Sequence, residues 1–348
     1  MGCCYGQTLA TNHQNGSLSK SQTDLIYQNS KAFPNNTQLS IALIKNGETQ
    51  FYGIKRVNDS IVSIINKKSV FEIGSISKVF TSTLLANFVT ENQIELEDGV
   101  NQYLEVPFQN NEVVSFASLA NHTSGLPRLP SNLNLYAVDP NNPYAEYGEE
   151  KLKDYLSQEL KRETIGRYAY SNLGAGLLGY TLSKISGSSY AELLSNKVLN
   201  QYNMTNSSTS PSDLKSLLVK GQNPLGEIAP NWDLNVLVGA GGILSNVEDL
   251  AKFAMAHFDK DNKELALTRL KTQSVNVNMD LGLGWHIIKN RSKNPWFWHN
   301  GGTGGYTSSM AIDVEAKNGI IILSNVSAFS SNMSNIDTLC FALMKTLE

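Results

Sequence analysis

Phe71-Glu72-Ile73-Gly74-Ser75-Ile76-Ser77-Lys78 joins an extended apolar start to a helix, and the fold is read outward from that junction. Val79, Leu84, Leu85 and Phe88 follow near helical spacing, with no Gly or Pro between Gly74 and Val89. At a helix N-terminus the backbone N–H groups lack intrahelical partners and the dipole favours negative charge. The i,i+3 spacing sets Lys78 on the same face as Ser75. Among Ile76, Val79 and Phe80 its ammonium is partly desolvated, which lowers a lysine pKa, by ~3–5 units in the extreme case. A neutral amine there can take the serine proton. Ser-x-x-Lys recurs at Ser17/Lys20 and Ser212/Lys215, so the spacing alone says little. Ser17 lies in a polar tail and Ser212 in a Pro-containing loop, whereas Ser75 stands where a strand enters a helix. A surface lysine is the other reading of Lys78, and so apolar a stretch disfavours it.

On the N-terminal side, residues 19–31 read as a short helix. Residues 38–44 and 49–57 flank Lys45-Asn46-Gly47-Glu48, and Asn-Gly between two such runs signals a hairpin. On the C-terminal side, Ser115 can cap a short helix ending near His122. Residues 128–148 read as a long loop, 149–160, 171–186 and 190–199 as helices, and 211–232 as irregular. Ser245-Asn246-Val247-Glu248 reads as a capping box before a helix over 249–258. Strands return at 283–289, from 296, and as a hairpin at 308–314 and 319–323, followed by a closing helix over 334–347. This order predicts an α+β fold, an antiparallel sheet flanked by helices and built from both chain ends, with an all-helical lobe inserted in the middle. The expected units are a disordered tail (1–18), an α/β lobe (19–114 with 270–348) and a helical lobe carrying active-site loops (115–269). A ligand would sit in the cleft between the lobes.

Two further elements carry chemistry. Tyr170-Ser171-Asn172 precedes a helix start; a Tyr hydroxyl near a lysine can shuttle a proton, and the Asn amide offers both donor and acceptor. Tyr168 competes for that role, and a buried tyrosine beside a helix cap is the structural alternative. His299-Asn300-Gly301-Gly302 closes a Trp-rich strand, where glycines let a substrate approach the strand edge. The Gly302 N–H could join the Ser75 N–H in holding an oxyanion, each such donor contributing ~3–4 kcal/mol. A tight turn with a structural histidine is the alternative.

Composition closes several other routes. Of 348 residues, 41% are hydrophobic and 17% charged, and 28 Lys+Arg stand against 31 Asp+Glu for a net charge of −3. That balance argues against intrinsic disorder and against a nucleic-acid partner. No apolar run is long enough to span a bilayer. Neither an HExxH nor a Cys-x-x-Cys pair is present, so no metal or other cofactor is expected. The sequence also lacks a Gly-x-Ser-x-Gly elbow and a P-loop. Met1-Gly2-Cys3-Cys4 lacks an apolar h-region. It reads either as a truncated export signal with Cys3 or Cys4 as a lipid-attachment point, or as the polar tail of a soluble protein.

Phe71 to Lys78 resembles the active-site octapeptide of class C β-lactamases, with aliphatic swaps at Ile73 and Ile76. Asn121-His122-Thr123-Ser124-Gly125-Leu126-Pro127 is similar to that family's segment between its first two motifs. Tyr170-Ser171-Asn172-Leu173-Gly174 matches its second motif, and residues 239–253 resemble a later helix-start segment. The resemblance runs from about Gln38 to the C-terminus and reaches the wider serine β-lactamase and penicillin-binding-protein superfamily. It implies that Ser75 is the acylated nucleophile and that Lys78 and Tyr170 form the proton-transfer pair. Asn172 would orient Lys78 and the substrate, and Ser75 and Gly302 would form the oxyanion hole. The third motif usually reads Lys-Thr-Gly; here His299-Asn300-Gly301 replaces a permanent cation and a hydroxyl that hold a β-lactam carboxylate. A histidine there is similar to carboxylesterases and some peptidases of the same fold. The expected substrate is a small acyl compound: a β-lactam, with an ester or a D-Ala-D-Ala peptide as alternatives, or a penicillin that acylates a sensor without turnover. The resemblance also implies an exported or periplasmic setting.

Overall fold

The structure, a computed structural model, describes residues 18–348. Cys3, Cys4 and nearly all of the expected tail lie outside the described residues. Helix α1 (Lys20–Ser30) starts at a capping box in which Ser19 and Gln22 satisfy each other's backbone N–H groups. Strands β1 (Gln38–Lys45) and β2 (Glu48–Val57) pair in register Lys45↔Glu48. Asn46 and Gly47 both adopt positive φ, 52° and 81°, so the Asn-Gly signal closes a hairpin as expected. A second turn, with Asn58 at φ 53°, adds β3 (Ser60–Ile64).

The chain then leaves the sheet. Strand β4 (Phe71–Glu72) runs through a 3-10 turn at Gly74–Ile76 into α2 (Ser77–Thr90). Helix α2 is buried continuously from Ser77 to Phe88, and a helix buried all round belongs in a core rather than on a surface. Short helix α3 (Phe116–Ala120) is capped by Ser115. Helix α4 (Glu149–Asp154) runs on into a π-turn. Helix α5 (Asn172–Ser186) is capped by Ser171, and α6 (Tyr190–Leu194) completes this group before a second π-turn. Two small pairs follow, β5 (Gly221–Gln222) with β6 (Ile228–Ala229), and β7 (Leu244–Ser245) with β4. Helix α7 (Val247–Ala256) corrects the expected cap by one residue. Asn246 accepts from Asp249 N, while the Ser245 hydroxyl turns to Ser207. Helix α8 is Lys263–Arg269.

The return to the sheet takes six strands where three or four were expected. These are β8 (Gln273–Asn276), β9 (Met279–Leu281), β10 (His286–Ile288), β11 (Trp296–Gly302), β12 (Thr307–Asp313) and β13 (Asn318–Ser324), before α9 (Asn335–Lys345). The nine-stranded sheet has the order β3-β2-β1-β13-β12-β11-β10-β9-β8 and is antiparallel throughout. It is therefore built from both chain ends, joined where β1 meets β13 with Ile41 opposite Ile322.

Period-2 alternation explains why β1 and β13 are apolar at nearly every position. Leu39, Ile41, Leu43, Ile320 and Ile322 point into one core with Ile26 of α1 and Leu339 and Leu343 of α9. Ala42, Ile44, Ile321 and Leu323 point the other way, into the core that holds Phe80, Leu84 and Phe253. Each such fully buried side chain contributes roughly 1.5–3 kcal/mol of transfer free energy. Among the described residues, no helix is long and apolar enough to cross a membrane.

Candidate active site

The octapeptide is held against the edge of β11 by backbone-scale contacts. Gly74 has φ +50°, and a Cβ there would lie 2.5 Å from Gly302 N. A Cβ on Gly301 would lie 2.0 Å from Ile73 O and 2.8 Å from Ser75 N. Only glycine fits either position, because the obstacle in each case is backbone. Ile73 O accepts from the Ser308 hydroxyl at 2.8 Å, which ties the segment to β12 as well. On its other side, the Ser77 hydroxyl accepts from Ile243 N.

This clamp places Ser75 at the first turn, where backbone amides have no intrahelical partner. Ser75 and Gly302 line one narrow pocket with Tyr144, Asn172, Trp232 and Leu237. That arrangement suits two amides holding one oxyanion.

Lys78 is 2% exposed, and its Nζ has three oxygen neighbours: Ser75 Oγ at 2.9 Å, Asn172 Oδ1 at 2.9 Å and the Ala240 carbonyl at 2.6 Å. Burial, reinforced by the Arg128 guanidinium, holds its pKa well below the usual lysine range. A neutral amine has two N–H donors and one lone pair. Asn172 Oδ1 and Ala240 O can only accept, so they take both donors and leave the lone pair for the Ser75 proton. Asn172 reaches this point because it opens α5, whose first turn is fixed by Ser171 accepting from Gly174 N at 2.8 Å.

Tyr170 stands over the same group, with Lys78 Nζ 4.8 Å from its ring centroid. Burial raises its pKa above 10, and the neighbouring Ser75 hydroxyl and Arg128 offset that only in part. Tyr170 is therefore a neutral O–H donor, and the group that burial shifts toward its basic form is Lys78. The competing Tyr168 places its hydroxyl 2.9 Å from His286 Nε2 instead.

The third motif divides. His299 is 1% exposed, with Nδ1 2.6 Å from Asn300 O. Burial, with His286 and Lys78 alongside, pushes its pKa well below 6.5, so it is a neutral imidazole throughout the neutral range. Asn300, the next residue along the strand, faces the opposite side of the sheet. Its amide donates to Asp337 Oδ2 of α9 at 2.6 Å. A substrate contact through the Asn300 side chain is not what the structure places; alternation along β11 turns it away. Gly301 and Gly302 do reach the octapeptide.

Several neighbours carried no signal of their role in the sequence. His122 (φ +61°) stacks its ring 4.4 Å from that of Tyr170, and its Nδ1 accepts from Ser171 N at 3.2 Å. Glu72 Oε1 accepts from Asn231 and from Trp232 N, so the octapeptide itself positions the Trp232 wall of the pocket. Arg128 accepts from Asn172 N and Leu173 N through its carbonyl and lays its guanidinium 5.1 Å from the Tyr170 ring centroid. Although three histidines lie near Tyr170, no group of three His, Cys, Asp or Glu among the described residues could hold a metal ion.

A buried lysine against a serine at a helix start, with Tyr and Asn completing the group, is the grouping of residues the sequence resemblance implies. The β-lactamase family model matches residues 34–337. The chain belongs to the β-lactamase family. It is similar to the D-alanyl-D-alanine-carboxypeptidase/endopeptidase AmpH of Escherichia coli K12, with 25% identity over 306 residues, 79% of this chain and 76% of that one. It is also similar to penicillin-binding protein 4* of Bacillus subtilis, with 26% identity over 75% of this chain and 62% of that one. Among solved structures, a β-lactamase/D-alanine carboxypeptidase from Pseudomonas syringae superposes with a TM-score of 0.76 at 20% identity, covering 94% of this chain and 98% of that one. This β-lactamase-family chain is accordingly a serine hydrolase by family, with the large antiparallel sheet and flanking helices of that fold.

Proposed function

We propose that the protein hydrolyses a β-lactam amide through an acyl-Ser75 intermediate. The observation that carries the acyl-enzyme reading is the buried Lys78 amine 2.9 Å from Ser75 Oγ, with its other two contacts made to pure acceptors; burial lowers its pKa and so favours the neutral base. Lys78 takes the Ser75 proton as Oγ attacks the carbonyl carbon. The carbonyl oxygen, now an anion, sits between the amides of Ser75 and Gly302. Tyr170 gives its proton to the departing nitrogen or oxygen and recovers one from Lys78. In the second half, Lys78 and Tyr170 relay a proton from a water that attacks the acyl carbon, and Ser75 leaves with that proton.

A specific observation supports a second reading, a carboxylesterase or a D-alanyl-D-alanine carboxypeptidase or endopeptidase. His299 is neutral and Asn300 is engaged by Asp337, so the third motif supplies neither the cation nor the hydroxyl that a β-lactam carboxylate would use. AmpH, which the chain resembles, carries the name of such a peptidase.

Time-resolved intact-protein mass spectrometry with a penicillin, a cephalosporin, a D-Ala-D-Ala peptide and a short-chain aryl ester separates these readings. A β-lactam adduct that forms and decays as product accumulates supports the first. Turnover of the ester or the peptide, with a persistent β-lactam adduct or none, supports the second. Absence of any adduct and any product would remove the acyl-serine reading altogether.

A further inference from the structure

We infer that Arg128 recognises a carboxylate on the leaving group of the substrate. The inference rests on the acyl-serine reading above and assigns the anion contact that the third motif does not make. Three observations place it there. Arg128 is exposed, and its guanidinium makes no ion pair and no side-chain hydrogen bond among the described residues. It stands 5.1 Å from the ring centroid of Tyr170, the group that protonates the departing atom, so it borders the leaving-group side of Ser75. Its backbone is fixed, because Arg128 O accepts from both Asn172 N (3.0 Å) and Leu173 N (3.2 Å), the residues that open the helix holding Lys78's partner.

Space for a leaving group lies on that side. Tyr170 and Arg128 both line a cavity of about 700 Å³ that extends toward Ser131, Gln158 and Lys161. Glu159 and Glu163 also line it, as does a second cation, Lys161. A guanidinium fork bound to a carboxylate makes paired charge-assisted hydrogen bonds. The ligand class is an ester or amide whose alcohol or amine portion bears a carboxylate.

The test compares two esters of one acyl group, the phenyl ester and the 3-carboxyphenyl ester, on the full chain and on Arg128→Gln, Arg128→Lys and Lys161→Gln. In Arg128→Gln, kcat/KM for the carboxylate ester should fall roughly ten- to hundredfold more than for the phenyl ester. Arg128→Lys, which keeps the charge but not the fork, should recover part of that difference. Inhibition by the free leaving groups, 3-hydroxybenzoate against phenol, should show the same ratio without any turnover. An equal loss on both esters, or an equal differential in Lys161→Gln, would overturn the assignment to Arg128. Failure of the unsubstituted protein to hydrolyse either ester, with no phenylboronate adduct formed on Ser75, would overturn the acyl-serine reading itself.

Discussion

Lys78 illustrates how much a single position depends on its surroundings. Its ammonium form would have to be desolvated among apolar side chains while Arg128 repels it, and its two best acceptors are neutral. Replacing it with alanine should slow acylation of Ser75 by about 10²–10⁴, read as the rate of adduct formation. An effect below tenfold would transfer the base role to another group. The sign of the pH dependence follows from the same forces. In the proposed mechanism Lys78 acts as a neutral base, so kcat/KM should fall as acid protonates it, on a limb lying well below the ordinary lysine pKa of 10.5. Arg128 depresses that pKa, so Arg128→Gln should move the limb to higher pH. A limb that stays put would show that burial alone sets it. The residue identities Ser75, Lys78, Tyr170 and Asn172 were legible in the sequence because each sits in a short local pattern. The side-chain direction of Asn300 was also within reach, since alternate residues of a strand face opposite sides of a sheet.

At the scale of elements, the site depends on two junctions. The first is the contact of β11 with the strand-to-helix turn at Gly74. Gly74→Ala requires a side chain at φ +50° and a Cβ 2.5 Å from Gly302 N, so the strand must retreat from Ser75. Turnover should fall at least a hundredfold through loss of the Gly302 donor, with KM for a neutral ester changing far less than kcat. Equal activity would show that Gly302 N does not hold the oxyanion. The second junction is the start of α5. Ser171 is buried, accepts from Gly174 N at 2.8 Å and donates to Pro127 O at 2.6 Å. Ser171→Ala should cost about 1–2 kcal/mol in chemical denaturation, and should loosen Asn172 and Arg128 together. An unchanged midpoint would mean that Tyr170 and His122 fix the helix start without it. The sequence marked α5 and its cap, and it marked the hairpin at Asn46-Gly47. It did not mark β8 and β9. These short strands, β8 at the sheet edge and β9 beside it, include polar segments such as Gln273–Asn276, where burial alternates too weakly to stand out from a loop.

For the whole molecule, four of the five histidines respond to burial in the same direction. His122, His257 and His299 are pushed well below 6.5, and His286 to about 4, in each case chiefly by desolvation. Below about pH 6.5 the unfolded chain takes up protons that the folded one excludes. Stability should therefore be level above pH 7 and decline as pH falls, by roughly 1.4 kcal/mol per unit for each histidine kept neutral. Urea denaturation at pH 7.5, 6 and 5 checks this; a midpoint that does not move would show that these rings protonate within the fold.

By itself the sequence determined the α+β order, the sheet drawn from both chain ends and the pairing of Ser75 with Lys78. Each of these is encoded in local periodicity, in turn residues or in a short motif. Only the tertiary structure decided which titrating groups are buried and which side chains border Tyr170. Distant segments bury Lys78 and His299 and so lower both pKa values, and they bring Asp337, 37 residues away in the chain, to the Asn300 amide. Arg128 has no local pattern around it. It becomes a candidate for substrate recognition because α5 and Tyr170 meet its loop. Desolvation and proximity are properties of packing, and residues remote in the chain supply both.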